Sequence, residues 1–186
     1  MDEAGDLIQE SATDKNFDYW LNRPFVGEEL RRELKNATLL IVPAEGVRER
    51  SDLNFPNGTE GLLTYLKDNA RDGVVPDICI EDKDFKALAL HDATIIVGTF
   101  VVTAIVAPIA VNLISKYLER EIGLDKAEET KVKFKMTVVE SDGTSKKLSY
   151  DGPAKTFEKT IGERLKVPKP SAESKKLPGK PKNDSK

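Results

Sequence analysis

The side chains that could perform nucleophilic chemistry are few in this sequence. It holds one cysteine, Cys79, and one histidine, His91, so a thiol activated by a base would have to come from this pair. The two lie twelve positions apart, across a predicted change from strand to helix, and no third group is placed to orient them. The alternating pattern around Cys79 favours a structural thiol, because a reactive one needs an electropositive surrounding. His91, beside Asp92, is predicted to be a solvated boundary residue rather than a pH sensor.

Ligands for metals and phosphates show no specific spacing either. Glu81, Asp82 and Asp84 form a local acidic cluster, which could bind a cation or transfer protons but is more typical of an exposed loop. A zinc site would need an unusual ligand set, and the chain has neither a Gly-Lys-Thr/Ser phosphate loop nor a G-x-G-x-x-G fingerprint. We therefore predict no catalytic, cofactor-binding or metal-binding residue, no cofactor, and a protein that is not an enzyme.

Composition narrows the partners that the protein could bind. The chain has 29 basic and 32 acidic residues and a net charge of −3. Because phosphate binding needs a concentrated basic surface, nucleic acid is not an expected partner. The acidic, polar N-terminus has no basic segment followed by an apolar one, so no cleavable signal peptide is predicted. A lone cysteine fits a reducing compartment.

One stretch contrasts with this charged composition: ATIIVGTFVVTAIVAPIAVNLIS, residues 93–115, has no charged side chain. It is long enough to cross a bilayer, which takes roughly 20 apolar residues. Its small residues would let membrane helices pack closely. The predicted membrane or oligomerisation face consists of Gly98, Thr99, Thr103, Ala104, Ala107, Pro108 and Ala110. We expect residues 93–122 to form one transmembrane helix with a charged end, located in the bacterial cytoplasmic membrane and able to mediate homo-oligomerisation.

A buried element of a soluble domain is the alternative explanation of residues 93–115. The many β-branched residues favour strands, so the stretch could be a buried helix or two strands. A run that is apolar all round a helix needs cover on every side, however, and the flanking segments offer few large apolar residues for it. The sequence therefore favours a membrane helix, with a cytoplasmic protein as the alternative.

Two smaller units flank the apolar stretch in the predicted α+β fold. Residues 1–16 are predicted to be disordered, and residues 17–92 alternate between strand and helix patterns, which indicates a small α/β unit. Residues 131–166 are predicted to form a β-β-α unit, a hairpin followed by a helix. Residues 167–186, rich in proline, lysine and serine, are predicted to be a disordered tail.

The β-β-α unit carries the residues that could bind a partner protein. Lysines alternate with apolar residues in its first strand, which is the period of a half-buried strand. The sequence Asp142-Gly143 predicts a tight turn into the second strand. The predicted contact residues are Lys131, Lys133, Lys135 and Phe157. Exposed lysines of this kind more often only discourage strands from pairing at an edge, which is the plainer explanation.

The order of elements resembles a known family. An apolar helix with a charged end is followed by a lysine-alternating strand, KVKFKMTVVE, a turn, SDGTSKK, a short strand, LSYDG, and a helix start, PAKTFEKTI. Over residues 93–166 this order is similar to the effector-associated constant component proteins, small proteins encoded beside variable effector or protease genes in bacterial conflict systems. The resemblance implies a non-enzymatic adaptor that acts with a partner protein.

Three functions are compatible with these observations. The first is a membrane-associated adaptor or accessory protein that recruits a partner protein, in a bacterial antiphage or other conflict system. The second is a soluble α+β protein-interaction module with residues 93–115 as its buried core. The third is a toxic effector that disrupts membranes through its small-residue face. The sequence favours the first, because the apolar stretch is its most unusual feature and no catalytic set accompanies it.

Overall fold

A mixed six-stranded sheet with helices on both faces organises the protein. The computed structural model describes residues 7–44, 53–88 and 94–166. The strands are β1 (Ile8–Ala12), β2 (Leu39–Val42), β3 (Phe55–Pro56), β4 (Pro76–Ile78), β5 (Ala87–Leu88), β6 (Ile95–Thr103), β7 (Lys131–Val139) and β8 (Ser145–Pro153). The α-helices are α1 (Phe17–Leu21), α2 (Glu28–Leu34), α3 (Thr59–Asp68), α4 (Ala107–Ile122) and α5 (Phe157–Leu165), and 3₁₀ turns lie at Asp82–Asp84 and Ala154–Thr156.

The strand order in the large sheet is β1-β8-β7-β6-β2-β4. The pairs β6–β7 and β2–β4 are parallel, and all other neighbours in this sheet are antiparallel. Parallel neighbours need a crossover connection, which α4 provides between β6 and β7 and α3 provides between β2 and β4. Two strand-helix-strand units therefore meet side by side at the β6–β2 contact, and β8 and β1 extend the sheet beyond β7.

The apolar stretch of residues 93–115 does not form a single helix. Its first part is β6, its last part is the first half of α4, and a turn separates the two. Pro108 lies in the first turn of α4, where the missing N–H costs no helical hydrogen bond. In the described part of the chain no helix is long and apolar enough to cross a membrane. The predicted transmembrane helix of residues 93–122 is therefore wrong, and with it the single-pass membrane protein.

The physical reason for this error is that β6 lies inside the sheet and is covered on both faces. Phe100, Val101 and Val102 are all fully buried, although neighbouring side chains of a strand point in opposite directions. A strand covered on both faces has a continuous apolar sequence, which periodicity cannot distinguish from a helix that is apolar all round. The proposal of a membrane-disrupting effector relied on the same helix and loses its basis.

One face of the sheet packs against α3, α4 and α5. An aromatic cluster joins three strands to α5 at this face: the rings of Phe100 and Phe134 stack with centroids 5.2 Å apart, and Phe157 meets Phe134 edge-on at 4.9 Å. The ring of Tyr150 also meets Phe157 edge-on, at 5.5 Å. Its hydroxyl donates to the Pro153 carbonyl at 2.7 Å, so the one polar atom of the cluster is satisfied. The strand-helix-strand unit of β6, α4 and β7 and the hairpin thus share one core, to which residues of β2, α3 and β4 also belong.

The opposite face is only partly covered. Trp20 of α1 and Leu30 and Leu34 of α2 form a second buried cluster with residues of β2 and β6, among them Leu40 and Val101. Lys133 and Lys135 of β7 lie on this same face and are exposed. In the described part of the chain, the half of this face around Lys133 and Lys135, with the paired residues of β8 and β1, therefore carries no helix, whereas Thr137 is buried and Val139 packs against the second cluster.

The units predicted from sequence join in this one sheet. Strands β2 and β4 come from residues 17–92, and β7 and β8 from residues 131–166. β1 comes from residues 1–16, the segment predicted to be disordered. The predicted tail of residues 167–186 lies outside the described residues. The strands of the large sheet are therefore connected through β6, which pairs with both β2 and β7, while β3 and β5 form a separate two-stranded parallel sheet.

Two alanine substitutions within the apolar stretch test its role as a core strand and turn. Phe100 is fully buried whereas Ile105, in the turn after β6, is 84% exposed. We expect Phe100→Ala to lower the free energy of unfolding by about 3–5 kcal/mol, because it leaves a cavity in the aromatic cluster. Ile105→Ala should change it by less than about 0.5 kcal/mol. Urea unfolding followed by circular dichroism measures both, and similar effects of the two substitutions would contradict this structure.

Candidate functional site

Lysines from two strands meet on the uncovered half of the sheet. The antiparallel register places Lys133 opposite Asp151, Lys135 opposite Ser149, and Thr137 opposite Lys147. Directly opposite residues of an antiparallel pair project from the same face. Lys133 and Lys135 of β7 and Lys147 of β8 therefore share one surface, which we term the lysine face.

The neighbouring strands extend this surface with short polar side chains. On β6, Thr99 pairs with Lys135. On β1, Gln9 pairs with Ser149 and Ser11 pairs with Lys147. The row of Lys135 thus runs from Thr99 through Ser149 to Gln9, whereas the row of Lys133 contains Ile96 of β6 and Asp151 of β8. The surface around Lys135 and Lys147 offers groups for hydrogen bonding, and Leu7, Ala44 and Ile96 add apolar lining to the groove.

The lysine face is concave. A groove of about 480 Å³ lies over it, and its polar lining includes Gln9, Thr99, Ser149 and Asp151 as well as the three lysines. A second hollow of about 170 Å³ adjoins the groove towards α1, and Lys15 and Trp20 line it together with Lys135 and Lys147. The two hollows share Thr99, so they form one continuous open depression bordered by α1.

The depression carries unbalanced positive charge. Lys133 lies 3.7 Å from the Asp151 carboxylate, with both side chains about half exposed, so this pair contributes little to stability. Within the described residues, Lys135 and Lys147 have no ion-pair partner. Asp151 is the one acidic residue that lines the groove over the described chain. The arrangement can therefore bind an anionic group by charge and by hydrogen bonds to the hydroxyls beside it.

The residues predicted as partner contacts separate into two groups. Lys131, Lys133 and Lys135 are all exposed and alternate along β7. Phe157 is fully buried in the aromatic cluster, where it holds α5 against the hairpin. Lys147 was not predicted, although it completes the lysine face. The signal for it was the tight turn at Asp142-Gly143, which fixes the hairpin register and hence the residue opposite Thr137.

The small residues predicted as a membrane or oligomerisation face do not lie on one helix. Gly98, Thr99 and Thr103 belong to β6, Ala104 to the turn, and Ala107, Pro108 and Ala110 to α4. Gly98 lies at a register shift in the β6–β7 pairing with a φ of +139°, a conformation that favours glycine. Ala107 and Ala110 are fully buried, so the described structure uses them for packing within the chain.

The groups singled out for possible chemistry lie away from the lysine face. Cys79 is fully buried beneath α1, where its thiol donates to the Trp20 carbonyl over 4.0 Å. Burial raises the pKa of this thiol to about 12. Glu81 and Asp82 line a separate acidic hollow next to β4, and no group of side chains suited to hold a metal ion occurs among the described residues. His91 lies outside the described residues.

Comparison with known proteins identifies no relative, since no protein family, no curated protein and no solved structure matches this chain. The function therefore has to be argued from the geometry of the chain itself.

Thiol labelling tests the environment of Cys79. Because the folded pKa of about 12 exceeds the ordinary value of 9.0, the thiol stays protonated at pH 8 and does not provide the reactive thiolate. We expect a thiol-specific disulfide reagent to label the native protein far more slowly than the protein in guanidinium chloride, with Cys79→Ala as the background. Rapid labelling of the native protein at pH 8 would contradict a buried, protonated thiol.

The pKa of Cys79 is higher in the folded protein than in the unfolded one. The stabilisation from this buried thiol is therefore complete below pH 9 and is lost as the pH rises towards 12.

Proposed function

We infer that the chain is a non-enzymatic protein-interaction module whose lysine face binds an acidic segment of a partner protein. The observation that supports this is the open depression in which Lys135 and Lys147 have no counter-ion among the described residues. The module has most of residues 93–115 in its core, among them Phe100, Val101 and Val102, which are fully buried. The uncovered half of the sheet is then the surface left for binding.

A protein segment fits the depression better than a nucleic acid does. Over the described residues its lining includes lysines but no arginine, the side chain that binds phosphates in a bidentate manner. The aromatic residues of the lining, Phe134, Tyr150 and Trp20, are almost completely buried, so they offer no exposed platform for bases. Carboxylates at the spacing of an extended peptide match lysines at alternate positions of a strand.

The setting in which such a module works comes from the resemblance alone. From the likeness to effector-associated constant component proteins over residues 93–166 we propose that the partner is an effector or protease of a bacterial conflict system, although β6 and α4 stand where that likeness expects one apolar helix. A nuclease or protease gene next to the gene for this chain would support that setting.

Charge reversal on the lysine face tests the proposed function. A variant with Lys133→Glu, Lys135→Glu and Lys147→Glu should bind a short glutamate-rich peptide at least about tenfold more weakly than the native protein, because attraction becomes repulsion. A matched control variant replaces three exposed lysines on the helix side of the molecule by glutamate, so that the net charge changes equally: Lys116, Lys126 and Lys159. Isothermal titration calorimetry at two salt concentrations gives the affinities, and the native affinity should fall as salt rises.

The outcomes of this experiment separate the alternatives. Equal weakening by the two triple variants would assign binding to net charge and overturn the lysine face as the site. A single-stranded oligonucleotide of similar charge serves as the competing ligand. If it bound more tightly than the peptide, a nucleic acid would replace the protein partner. Circular dichroism establishes that both variants keep the native content of helix and strand.

A further inference from the structure

β1 leaves one edge of the large sheet unpaired in the described part of the chain. It is the terminal strand in the order β1-β8-β7-β6-β2-β4, and four of its five residues are exposed. An edge strand offers a row of backbone N–H and C=O groups to another strand. The lysine face begins directly beside this edge, because Gln9 of β1 lines the groove.

The register with β8 identifies which backbone groups of β1 are unpaired. Asp151 N–H donates to the Leu7 carbonyl at 3.0 Å, and Thr13 N–H donates to the Ser145 carbonyl at 3.2 Å. In a strand, successive residues direct their backbone groups to opposite edges. The odd-numbered residues of β1 therefore bond to β8, while Ile8, Glu10 and Ala12 direct their N–H and C=O groups outward.

Nothing in the sequence of β1 prevents a further strand from pairing there. Natural sheets protect their edges with proline, charged side chains (lysine above all), bulges or very short strands. β1, with the sequence IQESA, has no proline, no lysine and a continuous register with β8, and its one charged side chain, Glu10, lies 3.7 Å from Lys146. The opposite edge, β4, is protected in this way, since it is three residues long and begins with Pro76. Of the two edges of the large sheet, β1 is thus the one open to strand addition.

We propose that the acidic segment of the partner binds as an additional strand, antiparallel to β1, with acidic side chains at every second position pointing to the lysine face. This rests on the proposed function and specifies its geometry. Antiparallel pairing is the more stable arrangement per residue. The partner residue opposite Ser11 falls in the row of Lys147, and the one opposite Gln9 falls in the row that leads across Ser149 to Lys135. Acidic groups two residues apart therefore lie in the rows of Lys147 and Lys135, about 10 Å and about 14 Å away across the sheet, so Lys147 is the nearer of the two.

Charge excludes a second copy of this chain as the occupant. Antiparallel pairing of two β1 strands about their centres would place Glu10 opposite its own counterpart, and directly opposed like charges destabilise a strand pair. It would also join two lysine faces on the same side of one continuous sheet. An acidic partner strand avoids both repulsions, and its carboxylates supply the counter-ions that the lysines lack.

N-methylated peptides test strand addition directly. The probe is an acetylated peptide of alternating valine and glutamate, added to the full chain and followed by calorimetry. In the proposed register the valines lie opposite Ile8, Glu10 and Ala12, so their N–H groups bond to β1. Methylating the valine amides should weaken binding at least about tenfold, while methylating the glutamate amides should change it less than about threefold, because those amides face solvent. Equal affinities of the two methylated peptides, or the reverse order, would overturn the proposal.

A substitution in the protein provides the second test. Glu10→Pro removes an outward N–H without touching the bonds to β8, and Glu10→Ala removes the same carboxylate but keeps the N–H. We expect Glu10→Pro to bind the unmodified peptide about tenfold more weakly than Glu10→Ala does. Thermal melting of both variants checks that the sheet remains intact, and the methylated peptides decide the question if Glu10→Pro does not fold.

The possible failures are distinguishable. If the peptide binds and binding needs the lysines but ignores methylation, strand addition is wrong and the proposed function stands. If the peptide does not bind even at millimolar concentration, the proposed function itself fails. If sedimentation shows a dimer of the native chain that Glu10→Pro abolishes, a second copy occupies the edge and the proposal is overturned.

Discussion

The burial of β6 on both faces is the constraint on which the rest of the structure depends. This strand pairs with β2 on one side and β7 on the other, and Phe100, Val101 and Val102 are fully buried in two different layers. Fully burying an apolar side chain of this size stabilises a protein by about 1.5–3 kcal/mol. Helices therefore have to pack against both faces of the sheet at β6. The two strand-helix-strand units can form one sheet only when helices are present on each side of this strand.

The helices on the second face are too short to cover the whole sheet, and the part that they leave exposed contains the candidate site. α1 has five residues and α2 has seven, so the longer of them spans about 10 Å at 1.5 Å per residue. Six strands spaced about 4.8 Å apart are roughly 24 Å wide. Two short helices cover the apolar residues of β2 and β6 and reach Val139 at the end of β7, but they leave Lys133 and Lys135 of β7 exposed. The strands without cover carry lysines, hydroxyls and an amide where the covered ones carry valine and leucine.

Sequence patterns predict the strands of this molecule that have one exposed and one buried face. Alternating lysine and apolar residues in β7 indicate an exposed and a buried face, since a strand has a period of two. The same rule fails for β6, because a strand buried on both faces shows no alternation and the run through the first half of α4 has no charged side chain. The pairing of Lys147 with Thr137 follows from the hairpin register, which the local turn at Asp142-Gly143 indicates. The unpaired edge of β1 required the strand order of the whole sheet, for which the sequence holds no local signal.

A simple solvated face is the plainest explanation of exposed lysines on a strand, and the composition of the neighbouring positions argues against it here. Lys133 and Lys135 are two residues apart on one strand, so their charges lie about 7 Å from each other. Protein surfaces normally intersperse opposite charges to limit such repulsion. This chain has more acidic than basic residues, yet a serine of β1 lies opposite Lys147, and Ser149 and then Gln9 follow Lys135 across the sheet. Asp151 compensates Lys133, but Lys135 and Lys147 have no acidic partner within the described chain, and an acidic ligand would supply one. Because the uncompensated charge lies next to the unprotected edge, a single extended acidic segment can satisfy the lysines and the backbone groups of β1 together.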